Sequence, residues 1–273
     1  MAKYLSLSDF EQILSELSRH MDIDFSAFSP FPLKNIVAAN MQKCNAPDAA
    51  QYIAKISRDK YFQAALLNDL SFFETEMFRD AAFWSLLHDS VLPALGKRYE
   101  KLNFFLPVSN TGEELFSLII LLKDCGIFEK STLYVSCMNK KNAEDIRNGL
   151  ADKKKFAVCK KNLDEQKMPI DLSKHFTSKS CHEVLNEKPN SNVHVEISLF
   201  NHFPDKDFHL ILMRNKLMFL SEKMHRSLIG EVDSRIIPGG FLALGYRENI
   251  LEKEIEKKYE QVINTEKIFR KIG

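Results

Sequence analysis

Residues 101–122, KLNFFLPVSNTGEELFSLIILL, constrain the fold more than any other stretch of the chain. Phe104, Phe105, Leu106 and Val108 form a short apolar run of the kind found in a central strand buried on both faces. Ser109, Asn110, Thr111 and Gly112 break that run with turn-forming residues. Glu113 and Glu114 then fall where a helix start favours acidic groups. Leu115, Phe116, Leu118, Ile119, Leu121 and Leu122 give the helix a wide apolar face. A buried strand, a tight turn and an acidic helix start is how α/β domains open a nucleotide-type cofactor site. It is also what an ordinary strand-to-helix turn can look like.

The segments after this stretch alternate. Residues 131–137 (STLYVSC), 209–213 (HLILM) and 241–244 (FLAL) predict strands. Residues 139–150, closed by Gly149, and residues 221–236, capped by Ser221, predict helices. Gly239-Gly240 predicts a turn, residues 250–259 a charged helix and residues 261–269 a last strand. Strands alternating with helices argue for a parallel, doubly wound α/β sheet over residues 100–273. Residues 153–192 break the rhythm with many lysines and predict a small insertion, placed at 152–192, with short strands and a helix near 172–176. Its charge run is most simply a solvated face, with an acidic partner as the alternative.

Before the central stretch the chain is helix-patterned. Phe10, Ile13, Leu14 and Leu17 form an apolar stripe behind Ser8 as a cap, and further stripes follow to residue 70. An all-α domain over 1–70 is expected, then a linker segment and helix over 71–99.

The sign and size of the net charge exclude some partners. Thirty-eight basic and 37 acidic residues leave a formal charge of +1, which argues against a general nucleic-acid binder. No apolar run approaches a membrane span. Residues 1–16 lack the basic start and continuous apolar block of a signal peptide, and the five cysteines are dispersed, so a cytoplasmic protein with reduced thiols is expected. No His-Glu-x-x-His, Cys/His cluster, Walker motif or Gly-x-Ser-x-Gly elbow is present, and no metal is expected. Gly112 is the only glycine at the turn, so the dinucleotide fingerprint is missing.

Four segments in order carry a resemblance. They are Thr75-Glu76-Met77-Phe78-Arg79-Asp80, Ser109 to Ser117 (SNTGEELFS), Phe208 to Asn215 (FHLILMRN) and Pro238 to Glu248 (PGGFLALGYRE). The chain resembles the CheR-type chemotaxis methyltransferases, which methylate receptor glutamates from S-adenosylmethionine. The resemblance implies a Rossmann-like methyltransferase sheet with an N-terminal all-α domain and a small inserted subdomain. It implies S-adenosylmethionine as cofactor and a protein carboxylate as substrate, with the cytoplasmic region of a chemoreceptor as the partner. Thr75 and Arg79 would reach the cofactor from the linker, with Arg79 also catalytic. Gly112 would admit it, and Glu113 and Glu114 would supply an acidic contact, either one facing it. Cys137, Asn201 with His202, and Asn215 with Lys216 would complete the site.

The pattern departs from the family at several positions. The acid that would bind the ribose is Cys137, with Asn139 two residues on. A thiol is a weak acceptor and uncharged near its usual pKa of about 8.5. Phe73, Val108 and Phe219 replace an asparagine, a glycine and a tyrosine. A second reading therefore stands beside the enzyme: a CheR-like module with weak or no cofactor binding that acts by protein interaction.

Overall fold

A computed structural model describes residues 5–21, 23–70, 76–165, 167–179, 182–186, 189, 191–198, 200, 202–263 and 265–273. Thr75, Asn201 and Phe73 therefore lie outside the described residues. The chain divides into two compact units, one of Met1–Phe72 with Lys216–Ser227 and one of Phe73–Asn215 with Leu228–Gly273.

The first unit holds α1 (Leu7–His20), α2 (Pro30–Lys43), α3 (Ala49–Arg58) and α4 (Lys60–Leu70). Ser6, not Ser8, caps α1, its hydroxyl accepting the Asp9 amide at 3.0 Å. Asp48 caps α3 in the same way. Phe10, Ile13 and Leu17 of α1 and Tyr52 and Ile56 of α3 are buried, as their helical spacing requires. Asn40 ties the unit internally, accepting the Tyr52 hydroxyl at 2.8 Å and donating to Asp69 at 2.7 Å. Residues 216–227 join this unit by backbone pairing. The Ser29 amide donates to Phe219 and the Ser221 amide to Ala27, either side of an antiparallel bridge between Phe28 and Leu220.

The second unit opens with α5 (Ala81–Leu86), a π-helical turn (Leu87–Val91) and α6 (Leu92–Arg98). In chain order follow β1 (Leu102–Leu106), α7 (Glu113–Asp124), β2 (Ser131–Cys137), α8 (Lys140–Arg147), β3 (Leu150–Asp152), α9 (Lys153–Glu165), β4 (Phe176–Ser178), β5 (His182–Leu185), β6 (Val193–Ile197) and β7 (Phe208–Met213). After the excursion come α10 (Glu222–Arg235), which begins in the first unit, β8 (Ile236–Leu244), α11 (Lys253–Glu256), β9 (Tyr259–Ile263) and β10 (Ile268–Lys271).

Seven strands form one sheet in the order β6-β2-β1-β7-β8-β10-β9. β6, β2, β1, β7 and β8 are parallel, and β10 runs antiparallel to both its neighbours. This is the Rossmann-like α/β sheet expected, with three differences. β6 is an added strand whose VHVEI sequence buries Val195 and leaves its neighbours outward, too short an alternation to stand out. The expected last strand is a hairpin of β9 and β10. Gly239-Gly240 does not turn the chain but lies within β8, where the register against β7 shifts. The strand order reverses between β1 and β7, the position at which open α/β sheets place a ligand crevice beyond the carboxyl ends of the strands.

β3, β5 and β4 make a separate small antiparallel sheet. The insertion is not wholly solvated, however. Cys159 and Leu163 of α9 are buried in the same core as Leu115 and Leu118 of α7, and Phe156 packs edge-on against Phe176 at 5.1 Å.

The carboxyl end of α7 is fixed by His88 of the π-helical turn. Its ring nitrogens meet Asp89 at 2.6 Å and Asp124 at 2.7 Å. Burial opposes a charge on this ring, but the two carboxylates outweigh it and hold its pKa above the usual histidine value. The stabilisation is therefore full below about pH 6.5 and is lost as pH rises through the raised value. Urea melts between pH 6 and 8 should show stability falling more steeply in the parent than in His88→Gln, by no more than about 1 kcal/mol because both acids are largely exposed. Parallel slopes would mean that His88 titrates alike folded and unfolded.

Candidate functional site

The turn between β1 and α7 is built from conformations that most residues avoid. Gly112 has φ +82°, and a Cβ there would lie 3.1 Å from both the Phe116 ring and Ile146. Val108, fully buried, has φ +50°. A β-branched residue is a true outlier there, and the conformation costs about 1–3 kcal/mol. Ser136 of β2 holds it in place, its hydroxyl accepting the Val108 amide at 2.9 Å and its carbonyl the Ser109 amide at 2.8 Å. Asn110 links the turn to the end of β2, accepting the Met138 amide at 2.8 Å. Its Nδ2, buried, has no partner among the described residues.

The two acids that open α7 face different partners. Glu114, 1% exposed, lies 3.7 Å from Nη1 of Arg214 at the end of β7. The Arg214 guanidinium is itself buried. It donates to Asp80 at 2.7 Å and to the Arg79 carbonyl at 3.3 Å, and it stacks 4.0 Å from the centre of the Phe83 ring. Glu113, 4% exposed, instead accepts from Lys155 of α9 at 2.9 Å and from the Thr111 hydroxyl. Burial raises the Glu113 pKa, while Lys155 and Thr111 pull it back.

The linker reaches the same place. The Phe78 amide donates to the Ser117 hydroxyl of α7 at 3.0 Å, and Asn162 of α9 donates to the Met77 carbonyl at 2.9 Å. Phe78 and Asp80 have φ +55° and +57°, so Arg79 stands between two left-handed residues with its side chain exposed. On the far side, Asn215 has φ +56° and is clamped by Glu248, whose Oε2 accepts the amides of Asn215 at 2.8 Å and Gly245 at 2.6 Å. A Cβ on Gly245 would sit 2.4 Å from the Asn215 amide oxygen, so only glycine allows this approach. Asn215 Nδ2 is also buried without a partner among the described residues.

Arg79, Gly112, Glu113, Glu114 and Asn215 are thus linked through Arg214, α7 and the linker, beyond the carboxyl ends of β1 and β7. Cys137 closes β2 nearby, but its thiol turns to the backbone, donating to the Glu196 carbonyl at 3.4 Å and the Asn139 carbonyl at 3.6 Å. Burial pushes its pKa up to about 11, so it is a neutral donor. Asn139 caps α8, with its side chain held by the Asn142 amide. His202 is at the surface, paired with Glu196 at 3.3 Å. Lys216 is fully buried and belongs to the first unit.

Sequence reasoning missed Lys155 and passed over Arg214. Lys155 was legible in outline, because it precedes Cys159 by four residues and Leu163 by eight and so shares their inward helix face. Arg214 stood in a quoted motif, but its burial between two acids depends on the sheet.

A family model described as CheR methyltransferase, SAM binding domain, matches residues 73–268. The chain is 21% identical over 249 residues, 91% of each protein, to Cher3 of Pseudomonas putida, which is named for a methyltransferase. It is 20% identical over 215 residues to chemotaxis protein methyltransferase 1 of Vibrio cholerae, covering 75% of this chain and 74% of that one. Among solved structures, the N-methyltransferase NodS of Bradyrhizobium japonicum with S-adenosyl-L-homocysteine aligns at a TM-score of 0.36 and 10% identity, over 72% of this chain and 89% of that one.

Val108 gives a direct test of the strained turn. Val108→Gly loses about 1.5–3 kcal/mol of buried side chain but relieves about 1–3 kcal/mol of backbone strain, so its net effect on urea unfolding should stay within about 1 kcal/mol. Val135→Gly, in the extended backbone of β2 and also buried, should cost about 2 kcal/mol or more. Equal losses would show that the Val108 conformation carries no strain.

Proposed function

Because the chain belongs to the CheR methyltransferase family, whose cofactor is S-adenosylmethionine, we propose that it methylates a glutamate carboxylate on a protein, in the cytoplasm, with a chemoreceptor cytoplasmic region as the target. What carries this reading is the buried Glu113 carboxylate, set just after the left-handed Gly112 at the switch point of the sheet. A buried acid at that place matches a ligand with an ammonium group. The orphaned amides of Asn110 and Asn215 are two donors aimed at no protein acceptor among the described residues, as a ligand rich in hydroxyl and ring-nitrogen acceptors would need. The residues fit the cofactor at these points, and the chain's own share of the reaction is derived from them.

The cofactor supplies an electrophilic sulfonium methyl, so an ionised carboxylate can accept it without a base or metal. The protein's work is then binding and positioning. Glu113 would hold the cofactor ammonium, while Glu114 is committed to Arg214 and keeps α7 in place. Gly112 leaves the backbone bare at the helix start. Arg79, held between two strained residues with its guanidinium exposed, is placed to orient the incoming substrate carboxylate. Thr75, Asn201 and Lys216 enter this reading through the resemblance alone.

One observation favours the second reading, a protein-interaction module with little cofactor binding. The Cys137 thiol is neutral and donates to two carbonyl groups, so it offers a ribose no charged acceptor. Calorimetric titration with S-adenosylhomocysteine separates the two. Binding at micromolar to submillimolar ligand supports the enzyme, and absence of heat at millimolar ligand would sink it. Cys137→Asp should tighten binding by about tenfold, the worth of a charge-assisted hydrogen bond. Unchanged affinity would place the ribose elsewhere.

Glu113 also gives a pH signature. Its pKa is raised above the ordinary 4.5, so cofactor affinity should fall with decreasing pH before ordinary carboxylates protonate. Glu113→Gln should bind more weakly, about tenfold, and flatten that part of the profile. A profile in the variant that still falls in parallel would assign the titration to another group.

A further inference from the structure

An ion pair between Glu113 and Lys155 joins α7 to α9, beside the core that the two helices share. Lys155 lies in the first turn of α9, beside Lys153 and Lys154, where the helix dipole disfavours cations. Asp152 offsets this by accepting the amides of Lys154 at 2.8 Å and Lys155 at 3.2 Å. The Lys155 side chain is 24% exposed and meets a glutamate that is 4% exposed. A desolvated ion pair of this kind adds little to stability, since the loss of hydration opposes the attraction. The pair is nevertheless held firmly, because α9 is anchored by Cys159 and Leu163 in the core and by Asn162 on the linker.

We propose that Glu113 and Lys155 together form a receptor for the amino-acid end of S-adenosylmethionine, Glu113 taking its ammonium and Lys155 its carboxylate. This rests on the cofactor-binding role proposed above. A lone acid recognises an ammonium group and tolerates any amine. An acid beside a base is the head-to-tail complement of a zwitterion. When such a ligand enters, each protein charge gains an opposite charge, and neither is left buried alone. The arrangement also leaves the exposed Arg79 to the substrate carboxylate. Lys155 comes from the segment that the sequence presents as a charged insertion, so that segment would supply part of the cofactor site.

The test compares S-adenosylmethionine with its decarboxylated form, which keeps the sulfonium and the ammonium, by calorimetry on the full chain. The parent should prefer the carboxylated ligand by about tenfold or more. Lys155→Met should reduce that preference to within about twofold, and Lys155→Arg should retain most of it. Because each ratio is taken within one protein, a general loosening of the fold affects both ligands alike; Lys155→Gln serves if the methionine variant does not fold. A preference that survives in Lys155→Met would overturn the assignment and give the carboxylate to another cation, with Arg79 the first candidate. Tighter binding of both ligands by Lys155→Met would also overturn it, showing a lysine that blocks Glu113. Equal affinities in the parent would defeat this inference alone. If the parent binds neither ligand, the cofactor-binding reading fails and this inference falls with it.

Discussion

A buried guanidinium holds the rim of the crevice together. Arg214 leaves the end of β7 and meets Glu114 of α7, Asp80 and the Arg79 carbonyl of the linker, and the face of Phe83. A charge this deeply placed is tolerated only with its partners in position, and removal of one partner of a buried pair typically costs about 3–5 kcal/mol. The interaction therefore couples three chain segments far apart in sequence. It also separates the roles of two adjacent acids, because Glu114 is spent on architecture and Glu113 is left to face α9.

Backbone strain gathers around the same place. Phe78, Asp80, Val108 and Asn215 all hold left-handed conformations, and none is glycine. Such residues persist where surrounding bonds over-determine them. Here those bonds are visible: Ser117 on the Phe78 amide, Ser136 on the Val108 amide, Arg214 on Asp80, and Glu248 on the Asn215 amide. The rim is rigid because its awkward turns are each fastened by a buried polar group.

Much of the fold was legible because its strands are loud. β1 and β7 are near-continuous apolar runs, as strands covered on both faces must be, and the 101–122 stretch showed its strand, turn and helix in order. Edge elements were quieter. β6 alternates over only five residues, and β9 and β10 are short antiparallel strands that read as one. The four motif segments indicated the family and cofactor. The site was legible only in part. Glu113 and Glu114 are equivalent along the sequence, and only the directions of α9 and β7 distinguish them. Lys155 looked solvated because charge was counted along the chain, while its helical phase with Cys159 and Leu163 was the better guide.

The return of residues 216–227 to the first unit matters for dissecting the protein. Phe219 accepts the Ser29 amide, the Ser221 amide donates to Ala27, and Leu220 bridges Phe28. These twelve residues, counted from Lys216 to Ser227, sit in the middle of the larger unit's sequence. A fragment that begins at residue 73 would keep them but lose their backbone partners. Such a fragment would leave main-chain donors and acceptors bare immediately after Asn215, one of the residues that shape the crevice. The two units are interleaved along the chain, so neither can be cut out of the gene as one uninterrupted piece.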